Sequence, residues 1–81
     1  MPYVTQGQRT ELDRTNEPYS AGELNYLITM LCIQFVERKS LKYETINDVM
    51  GALESAKQEF YRRVAAPYEE QKIRENGDLY D

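Results

Sequence analysis

The sequence predicts an all-α protein: an antiparallel two-helix hairpin, its second helix kinked at Pro67, assembled as a homo-oligomeric helical bundle. Three observations predict it. Ile46, Val49, Met50, Leu53, Phe60 and Val64 recur at spacings of three and four, the repeat of one helix face, with Ala56 at its edge. A second helical pattern, over residues 21–38, is apolar on almost every side. No stretch alternates apolar and polar residues as a strand would. With 81 residues there is room for one domain, divided into an N-terminal arm (1–19) and a helical hairpin (20–81).

The arm comes first. Residues 1–18 are polar, with Gly7 and two prolines, and Leu12 is the one apolar residue between Val4 and Tyr19. Such a segment reads as an arm or loosely docked strap, anchored on a neighbour by Tyr3, Val4 and Leu12. Residues 10–13 offer a short helical turn at most.

The first long helix has a clear start. Ser20 and Glu23 have the capping-box spacing, and Tyr19 and Leu24 hold the two hydrophobic-staple positions. Leu24, Leu27, Ile28, Leu31 and Phe35 form one apolar stripe; Tyr26, Met30 and Ile33 form a second, nearly opposite. One chain with about two and a half helices cannot cover both stripes. A second copy can, so the sequence predicts a homo-oligomer with Tyr26, Met30, Ile33, Gly51 and Ser55 at the interface.

Residues 38–43 form a basic connector short enough to demand a hairpin. Thr45, with Asp48 three residues on, is expected to cap the second helix. Gly51 inside that helix costs about 1 kcal/mol relative to alanine. With Ala52, Ser55 and Ala56 it makes a smooth patch where another helix can come close. Pro67 lacks a backbone donor and clashes with the carbonyl four residues earlier, so a kink or restart is expected near Ala65 and Ala66. Residues 68–75 continue as a polar helical end, and Asn76-Gly77 is a stop signal. Leu79 and Tyr80 are expected to fold back, and Asp81 to be loose.

Composition narrows the chemistry. The net charge of −4, from 10 basic and 14 acidic residues, argues against a protein built to hold an extended nucleic-acid backbone. There is no histidine and one cysteine, so one chain can build neither a disulfide framework nor a cysteine–histidine metal site. Cys32 reads as a small buried hydrophobe in a reducing cytoplasm. No run of about 18 apolar residues suggests a membrane span, and the opening residues lack the layout of a signal peptide. Glu54, Glu59 and Glu69 match no acid–base or metal spacing, and the Cys32 thiolate is disfavoured in apolar surroundings. A non-enzymatic protein without metal or cofactor is expected.

Several stretches together resemble a known family: Gly22-Glu23-Leu24-Asn25-Tyr26, residues 45–49, Gly51-Ala52-Leu53, Glu59-Phe60-Tyr61-Arg62-Arg63-Val64, Pro67-Tyr68-Glu69 and Glu75-Asn76-Gly77-Asp78. The pattern is similar to that of a family of small bacteriophage and bacterial proteins with no established activity, and it covers residues 22–80. The resemblance implies a phage or host-cell cytoplasmic setting. The predicted plan is also similar, in architecture alone, to small phage proteins that act as sponges for cyclic-nucleotide immune signals.

Candidate binding residues follow from that plan. Lys57 falls in the middle of the Ile46–Met50–Leu53–Phe60–Val64 stripe. There it either snorkels, paired with Glu23 or Glu54, or meets an anion in a partly buried cleft. Arg62 and Arg63 offer forks for phosphate, and Tyr61, Tyr68 and Tyr26 offer faces on which bases stack. The competing reading makes the tyrosines packing residues and pairs the arginines with Glu59, Glu69 and Glu70. Asn25 and Thr29, one turn apart, either bond a ligand at a subunit boundary or fix register between helices. The expected function is a phage-encoded, anti-defence sponge for a small anionic nucleotide, held between subunits by Lys57, Tyr61, Arg62, Arg63, Tyr68, Tyr26 and Asn25. The alternative is an adapter or inhibitor that engages a host protein through apolar helix faces.

Overall fold

The computed structural model describes residues 4–80, and among them every regular element is helical. The order is α1 (Gln6–Thr15), α2 (Ala21–Lys39), α3 (Tyr43–Phe60), a π turn (Tyr61–Ala65) and α4 (Ala66–Asn76). The all-α class is as the periodicity predicts. Tyr3 and Asp81 lie outside the described residues. The chain divides into two compact units, Met1–Ile46 and Asn47–Asp81.

The first unit differs from the expectation at its N-terminus. The segment read as an arm forms α1, because Thr5 and Gln8 make a complete capping box: Thr5 Oγ1 accepts from the Gln8 N–H at 3.1 Å, and Gln8 Oε1 accepts from the Thr5 N–H at 2.7 Å. The helix ends where Asn16 adopts the left-handed conformation at φ 56°, which asparagine tolerates better than most residues. Leu12 is 3% exposed and, with Val4, forms the apolar core of this unit. One leucine at the right position is enough to dock a polar helix.

The α2 helix starts on Ser20, whose hydroxyl accepts from the Glu23 N–H at 3.1 Å. Glu23 completes only half of the expected box. Its carboxylate takes the N–H of Tyr19 at 2.7 Å rather than that of Ser20, and its other oxygen accepts from Gln8 Nε2 of α1 at 3.1 Å. Ser40 closes the helix at φ 85°, a strained value for serine. The expected cap at Thr45 is also corrected: α3 begins at Tyr43, and Thr45 sits inside its first turn as a buried residue.

The second unit holds the rest of α3, the π turn and α4. The kink expected at Pro67 is absent. Ala66 donates its N–H to the Tyr61 carbonyl five residues back, opening one wide turn directly before the proline. That turn gives the pyrrolidine ring room, and Pro67 then occupies the first turn of α4, where its missing N–H has no partner to lose. Gly77 stops α4 at φ 88°, its N–H bonded to the Ile73 carbonyl at 2.8 Å. Leu79 and Tyr80 line a shallow hollow with the end of α4 but remain almost fully exposed.

Candidate functional site

Four of the residues singled out in the sequence meet on one surface of the second unit. Ser55, Lys57, Tyr61 and Arg62 line an open hollow that runs along α3 onto the π turn, with Gln58, Glu59 and Ala66. The helical repeat places Ser55, Gln58, Glu59, Arg62 and Ala66 on one face. Lys57 and Tyr61 flank it.

The electrostatics of this hollow are close to balanced. Glu59 is the hub: its carboxylate accepts from Arg62 at 2.6 Å and from Arg63. Those two guanidiniums, Arg63 first, hold the Glu59 carboxyl below its ordinary value. Lys57 stands 3.9 Å from Glu54. Its side chain is exposed, with Glu54 as its neighbour. Tyr61 donates its hydroxyl to Glu69 at 3.1 Å, and that bond, together with the Glu69 charge, raises the phenol's pKa. Each cation in the hollow therefore has an acidic partner one turn away. Exposed pairs of this kind are weak, so they can be exchanged for another anion at low cost.

The other predicted ligand residues stand elsewhere. Tyr68 lies in a second hollow towards the end of α4, with Lys72 Nζ 5.4 Å from its ring centre. Tyr26 and Asn25 belong to the first unit. Tyr26 donates its hydroxyl to Asp13 of α1 at 3.0 Å; partial burial and that bond raise its pKa. It serves as a tie between α1 and α2. Asn25 Oδ1 accepts from Thr29 at 3.5 Å within α2. Among the expected interface residues, Met30 is half-buried, Ile33 is exposed, and the space a Cβ would fill at Gly51 is open.

Glu59 collects both arginines from its position three and four residues before them, the first of the pairings that the competing reading names. One feature of this chemistry went unread. Asp13 anchors Tyr26, which could be foreseen only once α1 was recognised as a helix; the Thr5–Gln8 spacing was the signal. No three of His, Cys, Asp and Glu gather in a metal-holding arrangement among the described residues.

A family profile for the Domain of unknown function (DUF6899) matches residues 1–79, nearly the whole chain. The chain belongs to that family. No curated protein and no solved structure matches it significantly. No helix among the described residues is long and apolar enough to cross a membrane.

Proposed function

We propose that this member of the DUF6899 family is a non-enzymatic binding protein that self-associates and engages a protein partner through its apolar helix faces. The observation that carries this reading is the second unit taken by itself. It is one helical rod, and a lone helix has nothing against which to bury Met50, Leu53, Phe60 and Val64, all of which are exposed. Burying such side chains stabilises by about 1.5–3 kcal/mol each, a strong drive towards a covering partner.

A second reading is favoured by the hollow that gathers Lys57, Tyr61 and Arg62 beside a π turn, a feature frequent at functional sites. It makes the protein a sponge for a small anionic nucleotide, such as an immune signal in a phage-infected cytoplasm. The balanced charge of the hollow places it behind the first.

Native mass spectrometry of the full chain, with and without cyclic and linear nucleotides, separates the two. The adapter reading expects an oligomer that carries no nucleotide mass. Discrete nucleotide adducts that disappear with Lys57→Ala and Arg62→Ala would establish the sponge instead. A monomer that binds nothing would overturn both.

A further inference from the structure

We propose that a second copy of the chain docks antiparallel on the Leu24–Ile28–Leu31–Phe35 stripe of α2, forming a two-fold dimer. The proposal deepens the self-association reading above and rests on it, but it moves the interface from the Tyr26–Met30–Ile33 side to the opposite one.

Four observations lead there. All four side chains are exposed, Leu31 by 66%. Their spacing of four, three and four is the seam of a coiled coil, with leucine at the d positions and isoleucine at an a position. The other side of α2 is already taken by α1, through the Gln8–Glu23 and Tyr26–Asp13 bonds. That leaves the Leu31 side open to a second helix.

The fourth observation is symmetry. The spacing of the stripe, though not its residues, reads the same from either end about the midpoint of Thr29 and Met30. An antiparallel copy therefore sets Leu24 against Phe35, and Ile28 against Leu31, in every layer. A two-fold axis requires that kind of self-complementarity.

Charge selects the occupant and its direction. No charged residue lies on α2 between Glu23 and Glu37, so nothing along the seam repels an identical helix. Glu17 precedes the N-terminal end, where the Glu23 carboxylate is engaged by Gln8 and Tyr19, while Arg38 and Lys39 stand at the C-terminal end beside Glu37. An antiparallel copy brings Arg38 and Lys39 to the acidic end of its mate and opposes the two helix dipoles. A parallel copy stacks like charge on like.

The test is the solution mass of the full chain by light scattering, for wild type, Leu31→Lys and Leu53→Lys. The expected result is twice 9.5 kDa for wild type and for Leu53→Lys, falling by half for Leu31→Lys with its helical circular dichroism retained. A dimer broken by Leu53→Lys but not by Leu31→Lys would overturn this face while leaving self-association standing. A monomeric wild type would overturn both, and would leave α2 to be covered by α3 of the same chain or by another protein. Should Leu31→Lys unfold, disulfide trapping decides the question. In a Cys32→Ser background, Ala21→Cys mixed with Arg38→Cys should give a covalent dimer, and neither should do so alone. Self-linking of Ala21→Cys would show a parallel pair and overturn the orientation.

Discussion

Leu12 shows how much a single side chain can decide. It is one of two apolar residues in the core of the first unit, and α1 is otherwise polar. Leu12→Ala should cost about 2–5 kcal/mol. Against a typical total of about 5–15 kcal/mol, that is enough to shift the urea midpoint strongly or to release α1. Urea titration by circular dichroism checks it; a change below 1 kcal/mol would mean that α1 is not held by this contact. The titratable residues make a second prediction at this scale. The Glu59 carboxyl is lowered in the folded chain, so its contribution is present above its ordinary pKa of 4.5 and lost as pH falls through the lowered value. The Tyr26 phenol is raised, so its contribution is present below its ordinary pKa of 10.0 and lost as pH rises through the raised value. Thermal melts across pH should therefore weaken at both ends. Glu59→Gln should flatten the acid limb and Tyr26→Phe the alkaline one; variants that track the wild type at both ends would show that neither pair matters.

At the scale of the element, the sequence was most informative where a local rule acts alone. The start of α2 after Ser20 and the stop at Gly77 follow from caps that need no tertiary partner. The α1 helix was misread because its apolar content is one leucine, and periodicity has nothing to count there; only its capping box revealed it. At Pro67 the restart near Ala66 is as expected, and the kink is absent for a different reason. The rule that a proline breaks a helix interior assumes i to i−4 bonding, and the chain evades it with one π turn. This has a measurable consequence. Proline in a helix interior costs about 3 kcal/mol relative to alanine, whereas in a first turn it is tolerated. Pro67→Ala should therefore gain well under 3 kcal/mol in thermal melts. The full gain would show that Pro67 is felt as an interior residue after all.

At the scale of the molecule, the class was legible and the assembly was not. Helical periodicity names the buried face of each helix but never says which surface covers it. The candidate hollow shared that limit: proximity of Lys57, Tyr61 and Arg62 follows from helical spacing, while the Lys57–Glu54 and Arg62–Glu59 pairs and the Tyr61–Glu69 hydrogen bond depend on which rotamers win. Gly51 brings the two scales together. In the sequence, with Ala52, Ser55 and Ala56, it suggests a smooth patch for a close helix. In the structure an added Cβ meets nothing within 4 Å, and a glycine inside a helix is about 1 kcal/mol worse than alanine. A dimer held through α2 makes no use of that patch. Gly51→Ala should then raise the melting temperature while leaving the solution mass at the wild-type value. Because a dimer is stabilised by mass action, the melting temperature should also rise with protein concentration, equally for wild type and variant. A variant that melts higher but no longer dimerises would place the close helix at Gly51, and with it the interface that the α2 seam was argued to form.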